Sequence, residues 1–191
     1  VLDVEEYHDG NYGGKGKTRQ KKEKPTKEQV RLINRRNKAR LCRWRLIQYF
    51  DQGDLFITWT YATENRPPDM EGALKDFQKA MAKVRKIYRL RGAPLYWIRN
   101  IERGTKGAWH IHLVIKQTPE GDAVAIVTKA WTKGGTYVAE IRHSKFTGDD
   151  MEQLANYLTK DEYTAEIKTD GTPGKPRIAE LSLIHISEPT R

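Results

Sequence analysis

Two histidines, His110 and His112, are separated by one residue in a stretch where apolar residues alternate with them. Alternate residues of a β-strand project to the same face, so both imidazoles would point one way while Ile111 and Leu113 point to the core. Two imidazoles about 6 to 7 Å apart along a strand can bind one divalent ion together. Without a third ligand, such a pair is more often two hydrogen-bonded surface histidines.

Glu102 supplies the candidate third ligand, because it ends the preceding predicted strand. A three-residue loop, residues 105–107, with Gly107 in the left-handed conformation is a standard hairpin connection and would pair Glu102 directly with His110. A four-residue loop would instead place Glu102 beside Trp109, on the core face. Two histidines and a carboxylate suit Mg²⁺ or Mn²⁺ acting on a phosphate, although imidazoles also admit Zn²⁺. Such an ion would polarise a phosphodiester oxygen.

Tyr157 and Lys160 form the second candidate constellation, one turn apart on a predicted helix. At about 100° per residue, Tyr157 falls on the flank of the apolar stripe, where it could face a cleft. In isolation the pair is more often an edge tyrosine and a solvated lysine. Beside a metal site it predicts nucleophilic catalysis, in which the phenol attacks phosphorus to give a 5′-phosphotyrosine and Lys160 stabilises charge.

The periodicity of the chain predicts the elements that must position these residues. A helix is expected to begin after the N-cap Thr26 and to run to about Phe50. Strands are predicted at residues 55–61, 95–102, 109–115 and 136–142, and further helices at residues 70–90, 123–131 and 149–160, the last with Asp149 as a possible N-cap. This order predicts an α+β fold of the ferredoxin-like or RNA-recognition-like kind, with helices on one face of an antiparallel sheet and a basic helical arm before it.

The positive charge is concentrated near the N-terminus. The chain carries a net charge of +10, whereas residues 15–45 alone carry +12. The arm could be a solvated tail or a localisation signal, but such a patch is typical of proteins that bind nucleic-acid phosphates. The candidate DNA-binding residues are Lys21, Lys22, Arg35, Arg36, Arg40 and Arg43. The single cysteine, Cys42, fits a reducing cytoplasm, and no apolar run is long enough to cross a bilayer.

Three blocks, in order, now resemble the HUH endonuclease superfamily, and specifically the rolling-circle replication initiators (Rep proteins) of bacterial mobile elements and phages. The sequence FITWTY at residues 56–61 resembles the first Rep motif. The sequence WHIHLVI at residues 109–115, with Glu102 upstream, resembles the metal-binding motif. The sequence YLTKD at residues 157–161 resembles the Tyr-x-x-Lys motif, with Asp161 where two-tyrosine initiators have a second tyrosine.

The resemblance implies an HUH fold and an enzyme that nicks and rejoins single-stranded or hairpin origin DNA. It implies that Glu102, His110 and His112 bind Mg²⁺ or Mn²⁺, that Tyr157 is the nucleophile and that Lys160 assists it. It also implies a bacterial host cytoplasm, with a host helicase and polymerase as candidate partners. A relaxase or single-tyrosine transposase would use the same chemistry. A non-catalytic RNA-recognition-like binding module is the alternative from a different class, and it predicts exposed aromatic residues on the sheet.

The expected organisation is a disordered basic arm at residues 1–25, a basic helix at 26–50 and the catalytic domain at 51–165. Residues 166–180 are expected to be a truncated C-terminal segment. Residues 181–191 resemble a translated adapter sequence from DNA library preparation, so we expect them to be an artefact. The chain begins at Val1, so its N-terminus is also expected to be truncated.

Overall fold

The computed structural model describes residues 24–104, 107–142, 151–160 and, as backbone, 178–187. The elements in these ranges are α1 Lys27–Tyr49, β1 Leu55–Thr60, a 3₁₀ turn Thr63–Asn65, α2 Met70–Leu90, β2 Leu95–Arg103, β3 Trp109–Ile115, α3 Ala123–Ala130, β4 Thr136–Glu140, α4 Glu152–Leu158 and β5 Ile178–Ser187. The described strands form one antiparallel sheet in the order β4-β1-β3-β2-β5. The predicted α+β fold with a central antiparallel sheet is confirmed.

One face of the sheet packs against α2 and α3. The side chain of Asp69 accepts a hydrogen bond from the backbone N–H of Gly72 at 2.8 Å and so caps the start of α2. The apolar stripe of α2, which includes Phe77 and Met81, packs on the odd-numbered residues of the central strands. Trp59 stacks on Trp131 with 4.9 Å between ring centroids. Trp59, Trp97 and Trp131 are all buried, so core packing accounts for them and stacking on unpaired bases, which their sequence also allowed, does not.

The opposite face packs against α1 and α4, so the helices lie on both faces and not on one. Ile98 in β2 and Val114 in β3 point to this second face, and both are fully buried. They pack in one cluster with Cys42 and Leu46 of α1 and with Leu158 of α4. Burial of this apolar area is the physical reason for the second helical layer, because the even-numbered positions of the central strands are not all polar.

Helix α1 begins as expected, with a reciprocal cap at Thr26. The Thr26 hydroxyl accepts from the backbone N–H of Gln29 at 3.2 Å, and the Gln29 side chain accepts from the backbone N–H of Thr26 at 2.8 Å. Only the C-terminal half of α1 reaches the core, since residues 27–37 are exposed. The basic helix is therefore an exposed element at its start and a structural part of the domain at its end.

The hairpin between β2 and β3 has the register on which the metal site depends. Glu102 pairs with His110 and Asn100 with His112. Gly107 has φ +82°, a conformation that residues with a Cβ rarely adopt. The backbone N–H of Gly104 donates to the carbonyl of Ala108 at 2.8 Å and closes the ladder. The predicted register and the left-handed glycine are confirmed.

Two boundaries differ from expectation near the C-terminus. Helix α4 begins at Glu152, and its N-cap is Met151 in the left-handed conformation (φ +69°) without a side-chain cap. Asp149, the expected N-cap, lies outside the described residues. Strand β5 includes residues of the segment 181–191, and its pairing with β2 leaves the expected adapter origin of that segment a prediction. Within the described residues, no helix is both long and apolar enough to span a membrane.

Candidate active site

Three predicted ligands meet on the α1 and α4 side of the sheet. One possible ligand atom from each of Glu102, His110 and His112 lies within 4.8 Å of the other two. The two imidazole rings have centroids 6.3 Å apart, as expected for alternate residues of one strand. His112 is 2% exposed and Glu102 6% exposed, while His110 is half-buried. An ion at this place would therefore be shielded on the His112 side and reachable on the His110 side.

The orientation of the buried atoms fits a metal better than a salt bridge. His112 Nε2 lies 3.1 Å from Glu102 Oε1. Nevertheless, among the described residues this nitrogen has no hydrogen-bond partner, so the carboxylate lies off the direction in which the ring would donate or accept. Ligands of one ion point to a common centre and not at one another. A buried imidazole nitrogen with no hydrogen bond and a carboxylate beside it is such an arrangement, so these residues fit a divalent cation.

Thr58 of β1 holds the other side of the His112 ring. Its hydroxyl lies 3.0 Å from His112 Nδ1, and the two residues are directly paired across β1 and β3. A hydrogen bond to one ring nitrogen fixes which nitrogen is left for a metal. With Nδ1 engaged by Thr58, Nε2 is the nitrogen that faces Glu102. This role of Thr58 was not predicted, because the pairing of β1 with β3 joins residues far apart in the sequence.

Tyr157 of α4 lies against the same histidine. Its ring contacts the His112 ring at 5.2 Å between centroids, in an edge-to-face arrangement, and the Phe56 ring at 5.7 Å. The side chain is 37% exposed, so the phenol borders solvent while one edge of its ring packs on the site. Lys160 Nζ lies 3.3 Å from the centroid of the Tyr157 ring. A cation over the ring stabilises negative charge that develops on the phenol.

The protein-family comparison matches residues 54–162 to the model of the replication-associated protein ORF2 family. This segment makes up more than half of the chain and contains every residue of the site just described. The chain belongs to this family of replication-associated proteins. No curated protein and no solved structure matches it significantly. Membership of the family supports a role in the initiation of DNA replication and binding to DNA.

In this replication-associated protein, Asn100 ties α4 to the sheet. Its side-chain amide donates to the carbonyl of Leu158, in the last turn of α4, at 2.9 Å. Asn100 is 1% exposed, and within the described residues its Oδ1 has no partner. Since Leu158 follows Tyr157 directly, this hydrogen bond determines how the backbone of Tyr157 sits over the three candidate ligands. The register predicted the position of Asn100 beside His112, but its contact with α4 depends on tertiary packing.

Two other described tyrosines are unsuited to nucleophilic chemistry. Burial raises the pKa of Tyr61 above its usual range, and the nearby Asp76 carboxylate adds to this effect. Burial also raises the pKa of Tyr88, whose hydroxyl donates to the Lys116 carbonyl at 2.7 Å. Both phenols are held in the protonated form and are turned away from solvent, so they contrast with Tyr157.

The predicted DNA-binding arginines lie on α1, next to α4. Arg35, Arg36, Arg40 and Arg43 line one groove of about 520 Å³ between these helices. The Arg40 guanidinium stands 5.2 Å from the centroid of the Trp44 ring. Lys21 and Lys22 lie outside the described residues, so their predicted role in DNA binding stays a prediction.

Proposed function

We propose that this replication-associated protein is an HUH-type endonuclease that nicks and rejoins single-stranded origin DNA. In this role it would initiate rolling-circle replication of a bacterial mobile element or phage. The observation that carries the proposal is the contact of the Tyr157 ring with His112, inside a cluster that also holds Glu102 and His110. A solvent-bordering phenol packed on a metal-ligand triad has the parts needed for phosphoryl transfer to tyrosine.

The covalent step conserves the phosphodiester bond energy. The Tyr157 oxygen loses its proton to solvent and attacks the scissile phosphorus, and the bond from phosphorus to the 3′ oxygen breaks. The leaving oxygen takes a proton from solvent and becomes a 3′-hydroxyl, while the 5′-phosphate stays esterified to Tyr157. Attack by a 3′-hydroxyl on this ester reverses the step and reseals a strand. Lys160, positioned over the ring, stabilises the phenolate in both directions.

Glu102, His110 and His112 would hold a divalent cation at the scissile phosphate. One carboxylate and two imidazoles, with room left for phosphate oxygens, are compatible with Mg²⁺ or Mn²⁺. The bound ion would supply Lewis-acid polarisation of a non-bridging phosphate oxygen. Thr58 orients His112 for this role, and the half-buried His110 lies on the side from which DNA would approach.

The decisive experiment detects the covalent intermediate. The purified protein is incubated with single-stranded and hairpin oligonucleotides and Mn²⁺, and the products are separated on a denaturing gel. We expect a protein–DNA band with the wild type and none with Tyr157→Phe. Tyr137→Phe is the matched control, because Tyr137 is exposed on β4 and lies outside the site, and it should form the band normally. A band that persists in Tyr157→Phe would reject this nucleophile and direct attention to Tyr163.

The metal ligands are tested separately. His110→Ala with His112→Ala should abolish metal-dependent cleavage while the circular dichroism spectrum stays that of a folded protein. Cleavage at the wild-type rate by this double variant would remove the metal centre from the mechanism.

A non-catalytic RNA-recognition-like module is less well supported. Such a module needs exposed aromatic rings on the sheet surface. On the face that carries the histidines, Phe56 is partly buried against His112 and Tyr157. Tyr96, on the same face, packs on Tyr49 of α1 with 5.2 Å between centroids. A relaxase or transposase would share the proposed chemistry and differ only in the DNA that it processes.

A further inference from the structure

The groove between α1 and α4 has the charge and position of a binding site for a DNA strand. Its α1 wall carries four arginines, Arg35, Arg36, Arg40 and Arg43, and its α4 wall carries Glu152 and Asn156. Four positive charges against one negative charge favour a polyanion. We propose that this arginine groove binds the sugar–phosphate backbone of the unpaired DNA strand next to the scissile phosphate.

The spacing of the arginines matches an extended backbone. Arg36, Arg40 and Arg43 recur at intervals of four and three residues, so they form one stripe on α1. At a rise of about 1.5 Å per residue, this stripe is roughly 10 Å long, which covers about two successive phosphates. Guanidinium groups bind phosphate oxygens in a bidentate manner, so a row of them can fix the path of a strand.

The size and location of the groove favour one strand over a duplex. A volume of about 520 Å³ is that of a small-ligand pocket, which suits a few nucleotides and not the full width of a double helix. Asn156 lines the groove, and the next residue is Tyr157. A strand that leaves the groove past Asn156 therefore reaches the phenol within one residue of the helix. The polar amide of Asn156 adds a hydrogen-bonding group without adding charge.

The proposal rests on the proposed function only for the place of the groove in the reaction, since strand binding can be measured without cleavage. All binding assays use full-length protein in a Tyr157→Phe background, where no covalent adduct is expected. Affinity for an unpaired oligonucleotide is measured by fluorescence anisotropy at several salt concentrations. In this background, Arg36→Ala with Arg43→Ala should weaken binding about tenfold and lower the salt slope by roughly 0.7 per arginine lost.

Matched controls separate the groove from general charge. Lys27→Ala with Arg31→Ala removes the same charge from elsewhere on α1, away from the groove lining. Asn156→Asp adds a negative charge inside the groove, and Gln153→Glu adds one on α4 outside it. We expect Asn156→Asp to weaken binding several-fold and both controls to stay near the parent affinity.

Two outcomes would overturn the proposal. One is equal loss of affinity in the groove variants and in their matched controls, which would assign binding to total charge. The other is tighter binding of a duplex than of an unpaired strand of the same length, with the duplex alone sensitive to Arg36 and Arg43. Absence of a covalent adduct in the wild type would count against the nicking reaction and would leave the groove result intact.

Discussion

Replacement of Thr58 by valine tests whether the site is built to hold a metal. Valine keeps the β-branched shape that suits the strand and removes only the hydroxyl that lies 3.0 Å from His112 Nδ1. Thr58 is half-buried and contributes neither a ligand nor a charge. Any effect on metal binding must therefore act through the orientation and tautomer of His112.

The magnitude follows from the two states of the imidazole. When Nε2 binds a metal, the proton of the neutral ring is on Nδ1 and must be donated to Thr58 Oγ1. Valine leaves this buried N–H without a partner at a cost of about 1 to 3 kcal/mol. In the metal-free protein the ring can instead place its proton on Nε2, near Glu102, so the cost is smaller there. The difference is expected to weaken metal affinity about tenfold, which corresponds to roughly 1.4 kcal/mol.

The assay is a calorimetric titration of Mn²⁺ into wild type, Thr58→Val and Thr58→Ser at neutral pH. Serine restores the hydroxyl, so Thr58→Ser should bind within about threefold of wild type. Urea unfolding without metal measures the structural effect of each change independently. We expect Thr58→Val to lose more free energy of metal binding than of folding.

The reasoning would be refuted if Thr58→Val bound Mn²⁺ as tightly as wild type. It would equally be refuted if valine and serine weakened binding to the same extent, because the hydroxyl would then be irrelevant. A fall in folding stability with unchanged metal affinity would make Thr58 a purely structural residue.

Three further changes test the supports of the site. Asn100→Ala removes the donor to the Leu158 carbonyl, and should lower the free energy of unfolding by about 1 to 3 kcal/mol and slow adduct formation more than it weakens Mn²⁺ binding; equal losses would reject a role in positioning Tyr157. Burial raises the pKa of the fully buried Cys42 thiol to about 12, so this thiol should react with a disulfide reagent only when urea unfolds the protein, and rapid reaction of the native protein would contradict the packing of α1. Trp131→Ala removes the ring that stacks on Trp59 and donates to the Thr60 carbonyl at 2.9 Å, and should cost about 3 to 5 kcal/mol in urea unfolding, whereas a loss below about 1 kcal/mol would show that this part of the core is not well packed.

The metal ligands could be predicted because their relation is local. Glu102 and His110 are joined by one short hairpin, and the hydrophobic alternation of β3 leaves a single register that puts the carboxylate and both imidazoles on one face. Helix periodicity likewise placed α2 and the flank position of Tyr157. In each case the information lies within about ten to twenty residues, where turn geometry and period determine which side chains share a face.

The supports of the site could not be predicted because they join distant parts of the chain. Thr58 and His112 are 54 residues apart, and Asn100 and Leu158 are 58 apart. The second helical layer was missed for a related reason. Ile98 and Val114 signal an apolar patch on the histidine face, but the sequence does not say which helix covers it.

Helix α1 connects DNA binding to the nucleophile more closely than a detachable basic arm would. The family match begins at residue 54, yet Cys42, Leu46 and Phe50 complete the core on which α4 rests. Helix α4 is short, and its N-cap Met151 makes no side-chain cap, so its stability comes from packing and not from its own ends. The helix that carries the arginines is therefore also the helix that supports Tyr157. A phosphate backbone bound along α1 would press on the same surface that positions the phenol, so strand binding and nucleophile placement share one structural element.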